Sequence, residues 1–484
     1  MRKVTLSFLI LFIIGFILPL WASGLHESSV VLIECTSQRW NFKEPWKPHR
    51  FRKGSGTGFV IQGNRILTNA HVVANARYLE ITRIGDDRKY VARVKFAAHD
   101  CDLAILEVED PSFFETMVPL EMGPLPEINS VVTTYGFPMG GTYLSVTRGV
   151  VSRVQVWGYS HSGADSHLVV QTDSAINPGN SGGPVIQDGK VVGVAFQVLR
   201  QADNIGYLIP STVVEHVLED VADGRLDGFG ELGIQYRFDL QNPIIRSLLK
   251  IPEGRGGIFV TRAFPRMPGY GQLQPLDVIM SINNYEINDD GQVRIDGRDL
   301  DHSEVMEREQ IGTAVHLEVW RDGQKVELDL PLKEWDMIVD HRRPHGQVPP
   351  YLIWGGLCFT PLSRGYLDEL GGLQKAPLTV RHTYQGVYGD EDLRAEDVLV
   401  LSTRLPHEIN QGSENVVGLI LESLDGEEIL GMGDLKKKLN SKKGPYVKMF
   451  FKGKDTPYMM KVSEVLEKSD AILKQYRVPN GERE

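Results

Sequence analysis

Between about Ser28 and Ile209 the apolar residues come in short runs separated by turn residues. Val30-Val31-Leu32-Ile33, Gly58-Phe59-Val60-Ile61 and Arg65-Ile66-Leu67-Thr68 come first. Leu103-Ala104-Ile105-Leu106, Val131-Val132-Thr133-Thr134 and Val191-Val192-Gly193-Val194 follow. Many short β-branched runs with frequent turn signals argue for an antiparallel barrel or sandwich, not for alternating strands and helices. The spacing then changes: Val213, Val214, Val217, Leu218 and Val221 share one helical face, which predicts a helix over Ser211 to Val221. Asp223 to Gly230, with its glycines and acids, reads as a linker. Leu232 to Leu332 and Pro350 to about Leu473 form two further units. Each contains an acidic-apolar phrase, Leu276-Asp277-Val278-Ile279-Met280-Ser281-Ile282-Asn283 in one and Glu396-Asp397-Val398-Leu399-Val400-Leu401-Ser402 in the other. The charged, proline-bearing stretch Trp335 to Pro349 separates them. The repetition is weak and has no short solenoid period.

Composition narrows this picture. At 484 residues the chain exceeds one ordinary domain. With 42% hydrophobic residues it can bury real cores, which excludes a disordered protein. The net charge of −11 and the lack of a long basic run argue against nucleic acid as a partner. Cys35, Cys101 and Cys358 are far apart and allow one disulfide at most. Without a Cys/His cluster, no metal and no cofactor are expected. Arg2 and Lys3 followed by the apolar run Val4 to Ala22 read as an export signal, with Ala22, Ser23 and Gly24 as small residues at a cleavage site. The run is also near the lower length of a membrane span, so an uncleaved anchor over residues 4–22 is the second reading.

The octet Asn177-Pro178-Gly179-Asn180-Ser181-Gly182-Gly183-Pro184 is the strongest chemical feature. Glycines let the chain around Ser181 turn tightly, so that the N–H groups of Gly179 and Ser181 can converge on a developing oxyanion. The same residues also suit a surface β-turn. A nucleophilic serine needs a base and a group to hold that base. His71 follows a strand, in Leu67-Thr68-Asn69-Ala70-His71-Val72-Val73. Asp102 stands at the mouth of the apolar run Asp102-Leu103-Ala104-Ile105-Leu106, where a carboxylate costs free energy unless it is paired. Asp100, two residues earlier, is the competing carboxylate. The order His, Asp, Ser is one of several in which such a triad has arisen.

Taken together, Gly54-Ser55-Gly56-Thr57-Gly58-Phe59, Thr68-Asn69-Ala70-His71-Val72-Val73, Asp102-Leu103-Ala104 and Gln171-Thr172-Asp173 running on to Gly179-Asn180-Ser181-Gly182-Gly183 resemble the Deg/HtrA family of serine proteases. The resemblance implies a mainly β chain with α+β modules: a trypsin-like double β-barrel followed by two PDZ-like domains. The expected division is a signal peptide or anchor at 1–24, a protease domain at 25–224, a first PDZ domain at 230–335 and a divergent PDZ-like domain at 350–473. It implies Ser181 as nucleophile, His71 as base and Asp102 as orienting acid, with an oxyanion hole at Gly179 and Ser181 and Asn180 between them. In this fold Ala175 and Ile176, then Ala195, Phe196, Gln197 and Val198, line the pocket for the residue before the cut. With Ala175 in place of a carboxylate, a small or medium apolar residue is favoured there, over a broad substrate range. Phe196 reads equally well as a core aromatic.

Leu232-Gly233-Ile234 is the candidate loop for C-terminal peptides at the first PDZ domain, although Glu231 beside it would repel a carboxylate. Trp40, Phe42, Trp46 and Phe51 suggest an oligomer interface, in the family a trimer or a multiple of it, or else packing on the barrel. The resulting expectation is an exported serine endopeptidase of the bacterial periplasm or cell envelope, acting on unfolded or damaged proteins. A chaperone or PDZ-based binding protein with an idle triad, and a regulatory protease with one target, are the rival readings. Loops Gln155 to His167 and Gln197 to Asn204 are where an activating rearrangement is expected.

Overall fold

The computed structural model describes residues 26–138, 141, 143–198, 205–386 and 395–483. The leader at 1–24 and most of the loop Gln197 to Asn204 therefore lie outside the described residues. The chain divides into two units. One comprises residues to Ser37, Arg52–Arg262 and Gly271–Glu334. The other comprises Gln38–Phe51, Ala263–Tyr270 and Trp335–Glu484.

The first unit opens with two closed six-stranded barrels. Strands β1 (Val30–Ser37), β2 (Arg52–Ile61), β3 (Arg65–Thr68), β4 (Ala76–Arg83), β5 (Lys89–Ala98) and β6 (Leu103–Val108) close in the order β1-β2-β3-β6-β5-β4. The second barrel uses β7 (Val131–Gly136), β8 (Ser145–Gly158), β9 (Ser166–Thr172), β10 (Pro184–Gln187), β11 (Lys190–Val198) and β12 (Gly206–Pro210), in the order β10-β11-β12-β9-β8-β7. All six apolar runs singled out in the sequence lie in these strands. For most of them the lack of polar alternation has a simple cause: both faces are buried, and alternate side chains enter different cores; in β7, Val131 is exposed. Val31, Ile33, Val60, Ile66, Ala104 and Leu106 fill the first barrel. Val30, Leu32, Phe59, Leu67, Leu103 and Ile105 point the other way and join Leu168, Ile186, Val194, Phe196 and Ile209 of the second barrel. Val132, Val151, Val170, Val185, Ala195 and Leu208 fill the second barrel. The layer between the barrels is thus as apolar as their interiors.

A short helix, α1, spans Ala70–Val73 in the first barrel. Helix α2 (Ser211–Asp220) follows β12 and buries Val213, Val214 and Val217, matching the predicted helix to within a residue. Its Asp220 carboxylate accepts the N–H groups of Asp227 and Gly228, which ties down the segment read as a linker. The unit continues into a sheet of β13 (Ile234–Arg237), β14 (Ile258–Ala263), β15 (Val278–Ile282), β19 (Ala314–Arg321) and β20 (Gln324–Pro331), with β16 (Tyr285–Glu286) on β15 and a hairpin of β17 (Gln292–Ile295) and β18 (Arg298–Asp301). Helices α3 (Pro243–Leu248) and α4 (Ser303–Glu307) accompany it. The core between the barrels runs on through Leu232, Ile258, Ile279 and Val305 into this sheet.

In the second unit β21 (Tyr351–Trp354), β22 (Leu357–Pro361), β23 (Leu399–Arg404) and β28 (Glu482–Arg483) form one sheet in the order β23-β22-β21-β28. The other sheet contains β24 (Leu421–Leu424), β25 (Glu427–Glu428), β26 (Tyr446–Phe451) and β27 (Tyr458–Lys461). Helices α5 (Arg364–Glu369), α6 (Leu378–Gly386), α7 (Met432–Asn440) and α8 (Val462–Gln475) complete it. Gly355 and Gly356, at φ 57° and 85°, make the tight turn between β21 and β22. The 38–51 segment packs within this unit. Trp46 lies edge-on to Tyr351 at 5.9 Å, Phe42 sits over Gly365, and Glu369 receives His49 at 2.8 Å and Arg39 at 3.4 Å. Phe42 and Trp46 are buried, Trp40 is half-buried and Phe51 is 63% exposed. Two of the four aromatics expected at an interface therefore spend their surface inside the chain. Cys35, Cys101 and Cys358 are free thiols, all buried.

Candidate active site

His71 and Asp102 are joined by backbone as well as side chain. His71 Nδ1 lies 2.6 Å from Asp102 Oδ2, and the His71 N–H donates to Asp102 Oδ1 at 2.7 Å. The Asp102 carbonyl accepts from the Ala70 N–H and from Asn69 Nδ2, each at 3.0 Å. Asp102 takes φ 55°, a left-handed conformation that aspartate tolerates better than most residues. That turn breaks the two-residue alternation on which Asp100 would have shared the face of Asp102. Asp100 instead accepts the N–H of Cys101, while Asp102, fully buried, takes the imidazole. Burial works against a charged His71, but the adjacent, hydrogen-bonded Asp102 carboxylate outweighs it and raises the imidazole above its ordinary range.

The serine loop is built by the second barrel and held by the first. Thr57 Oγ1 donates to the Gly179 carbonyl at 2.7 Å and accepts the Phe137 N–H at 2.9 Å. The Thr57 N–H donates to the Ser181 carbonyl at 2.9 Å, and Thr68 Oγ1 donates to the Thr57 carbonyl at 2.6 Å. The two glycines after Ser181 have a steric reason. A Cβ on Gly182 would lie 2.1 Å from the Thr57 carbonyl oxygen, and one on Gly183 2.0 Å from that of Tyr135. The octet is therefore a packed loop and not a free surface turn. The Asn180 N–H donates back to Asn177 at 2.9 Å, whereas the N–H groups of Gly179 and Ser181 have no hydrogen-bond partner among the described residues. Ser181 Oγ donates to the Phe196 carbonyl at 3.2 Å, and no bond links it to His71.

The residues expected around the pocket separate. Ile176 is buried, and Gly206 of β12 leaves room for it, since a Cβ there would lie 2.7 Å from its Cδ1. Ala175 is exposed, and its carbonyl accepts from Thr147 Oγ1 at 3.2 Å and Asn180 Nδ2 at 3.4 Å. Ala195 is buried, and Val198 pairs with Gly206 at the end of β11. The Phe196 ring belongs to the core, 4.6 Å from Tyr159, while its carbonyl meets Ser181. Thr57 was part of a recognised phrase, but nothing local in sequence signals that its hydroxyl reaches across 122 residues to the serine loop. His161 is a second residue the sequence did not point to. Its ring is 6.2 Å from that of His71, and its Nε2 is 2.9 Å from His99 Nδ1.

At the first PDZ-like sheet Leu232 is buried, Gly233 has φ 68° and Ile234 opens the edge strand β13. Glu231 is engaged through its backbone, its N–H donating to Lys333 at 2.8 Å and its carbonyl accepting from Lys333 at 3.2 Å. His302, just ahead of α4, packs edge-on against Tyr236 of β13 at 4.9 Å. At the far end of α4, Glu307 Oε2 lies 3.3 Å from Nδ1 of His167 on β9. Among the described residues no group of three or more His, Cys, Asp or Glu side chains is placed to hold a metal.

Paired barrels that carry a serine loop and a histidine bonded to a buried aspartate define the class: a trypsin-like serine endopeptidase. The trypsin-like peptidase domain family matches residues 56–194 and the PDZ domain family residues 341–482. Among curated proteins, Protease Do-like 2, chloroplastic, of Arabidopsis thaliana is 34% identical over 466 residues, covering 94% of this chain and 75% of that protein. Putative protease Do-like 3, mitochondrial, of the same plant is 32% identical over 466 residues, covering 95% and 80%. Protease Do-like 4, mitochondrial, is 37% identical over 344 residues, covering 71% and 66%. The solved structure described as "HtrA-type protease AlgW with tripeptide" shares the fold at TM-score 0.51 and 24% identity, over 67% of this chain and 96% of that one. The chain belongs to the Deg/HtrA family of proteases.

Proposed function

We propose that the chain hydrolyses peptide bonds of unfolded or damaged proteins through an acyl-enzyme, with Ser181 as nucleophile, His71 as general base and then acid, and Asp102 fixing the imidazole tautomer. The observation that carries this reading is the doubly bonded His71–Asp102 pair beside a serine loop whose Gly179 and Ser181 N–H groups have no partner among the described residues. Those donors would receive the oxyanion, and Asn180 between them is anchored through its own N–H. Ile176 and Ala195 would bound a pocket for a small or medium apolar side chain, with Val198 contributing through its place at the end of β11. Ala175 and the ring of Phe196 contribute less than the sequence suggested, one being exposed and the other in the core.

The free edge of β13 after Leu232-Gly233-Ile234 supports capture of C-terminal peptides by strand addition at the first PDZ domain. The leader supports export to the cell envelope or retention on its membrane. No helix among the described residues is long and apolar enough to cross a membrane, and the relatives above carry chloroplastic or mitochondrial names. Assembly as a trimer or a multiple is part of the proposal; Phe51 is the exposed member of the aromatic set.

The test is digestion of casein by the protein and its Ser181→Ala variant side by side. Cleavage by the parent alone is the expected result. A second reading has one observation in its favour: Ser181 Oγ is engaged by Phe196 and not by His71. If neither protein cleaves and both suppress aggregation of the unfolded substrate, a binding protein with an idle triad replaces the protease reading.

A further inference from the structure

Three hydroxyls of the second barrel take no part in the serine protease reading, yet they form a line that ends at the serine loop. Thr134 is on β7, Thr147 on β8, and Ser174 follows β9. Thr134 and Ser174 are buried and Thr147 is half-buried. Thr134 Oγ1 and Ser174 Oγ lie 3.0 Å apart, Ser174 Oγ and Thr147 Oγ1 3.1 Å, and Thr147 Oγ1 is 3.2 Å from the Ala175 carbonyl oxygen. A hydroxyl has one hydrogen to give. The carbonyl can only accept, so the Thr147 hydrogen goes to Ala175. Ser174 must then donate to Thr147, and Thr134 to Ser174. The line has a single direction, and each bond in it polarises the next.

The carbonyl at its end is shared. It also accepts Nδ2 of Asn180 at 3.4 Å. Asn180 is buried, its Oδ1 has no partner, and among the described residues its side chain makes no other hydrogen bond. The amide therefore rests on one carbonyl. Asn180 joins Gly179 to Ser181, so its placement sets how the N–H groups of those two residues converge.

We propose that Thr147, completing the line from Thr134 through Ser174, is a positioning residue for the oxyanion donors. This rests on Ser181 being the nucleophile and on the N–H groups of Gly179 and Ser181 being those donors. Thr147 acts through the Ala175 carbonyl and not on the substrate. Without its hydroxyl, that carbonyl is held from the Asn180 side alone, and the loop that aims the donors loses its brace. Donors that serve a charge present only in the transition state then act on kcat more than on substrate binding. The same carbonyl belongs to the residue before Ile176, in the wall of the proposed apolar pocket. A substrate side chain pressing on that wall therefore bears on the donors as well.

The experiment is steady-state cleavage of fluorescently labelled casein across the pH range in which circular dichroism is unchanged, by the parent protein, Thr147→Val and Thr147→Ser. Valine keeps the shape and removes the hydroxyl; serine keeps the hydroxyl and removes a methyl. Thr147→Val should lose roughly tenfold in kcat with KM within about twofold, and Thr147→Ser should keep the parental kcat. The acid limb should keep its midpoint in both variants, because His71 and Asp102 are untouched. Ser174→Ala cuts the line one step earlier and should give the same loss, which keeps the test decisive if Thr147→Val fails to fold. Parental kcat in the variants that lack a hydroxyl, or an equal loss in Thr147→Ser, overturns the proposal. Undiminished cleavage by Ser181→Ala would instead overturn the reading beneath it.

Discussion

The two barrels bring different things to the candidate site. In the first, both carboxylate oxygens and the carbonyl of Asp102 are occupied, by the ring and N–H of His71, by Ala70 and by Asn69. In the second, the N–H groups of Gly179 and Ser181 are unpaired among the described residues, the serine hydroxyl is turned to Phe196, and the buried Asn180 Oδ1 has no hydrogen-bond partner. A group that holds a permanent charge in a dry site needs its bonds in place beforehand. Donors that receive a charge only in transit must be oriented but left open. On the proposed roles, the first half is finished and the second is left open.

The sharpest way to break this contrast is in the first barrel. Asp102→Asn keeps the shape but reverses one donor, and activity against casein should fall about 10⁴-fold while the fold by circular dichroism is retained. A loss below tenfold would mean that the pairing is structural and not mechanistic.

The second barrel is also braced from outside, by Glu307 on α4 against His167 on β9. Burial disfavours a charged His167, but Glu307 and the neighbouring Asp100 and Asp165 raise it to about 9, from an ordinary 6.5. A pKa raised by folding stabilises the native state fully below about 6.5, and that stability is lost as pH rises through about 9. His167→Gln should therefore destabilise the chain by on the order of 2–3 kcal/mol in urea unfolding at pH 6. The difference should close by pH 10. An unchanging gap would assign the effect to packing against Tyr159 and Phe229.

The smallest expected effect tests the link between the halves. Thr57→Val removes the hydroxyl shared by Gly179 and Phe137 at nearly constant volume, leaving two buried backbone groups unsatisfied. The expected destabilisation is about 1–3 kcal/mol. Because the same hydroxyl aims the serine loop, kcat should fall while KM changes little. A change in stability without any in kcat would show that the loop keeps its own shape.

Much of this was legible in the sequence, for identifiable reasons. Two buried faces per strand produce uninterrupted apolar runs, so β1, β2, β3, β6, β7 and β11 could be read directly, whereas partly exposed strands such as β4 could not. An aspartate at the mouth of such a run must be paired, which singled out Asp102. The choice over Asp100 depended on a left-handed φ that no periodicity reports. The hold of Thr57 on the serine loop and the place of His161 beside His71 were not legible. Their partners lie 122 and 90 residues away, and a hydroxyl or imidazole on a loop carries no local sign of them. Sequence also could not say whether Phe42 and Trp46 face another subunit or the chain itself, since the same aromatic surface serves either.

The two PDZ-like sheets differ in a comparable way. β13 follows a positive-φ glycine and ends its sheet, while β22 follows two and is paired on both sides by β21 and β23, with β28 added beyond β21. The tail capture proposed for the first sheet has an end strand to use, whereas at β22 the chain itself occupies both neighbouring positions.

The placement of residues 38–51 in the second unit also sets an order of events during synthesis. Trp40 leaves the ribosome early, whereas Arg483, whose guanidinium stacks 4.8 Å from its ring, comes 443 residues later. At translation rates of 5–20 residues per second this is a wait of roughly 20–90 s. The hairpin of β1 and β2 can pair well before this, but a nascent chain carries Phe42 without Gly365, and Trp46 without Tyr351, until those later residues have been made.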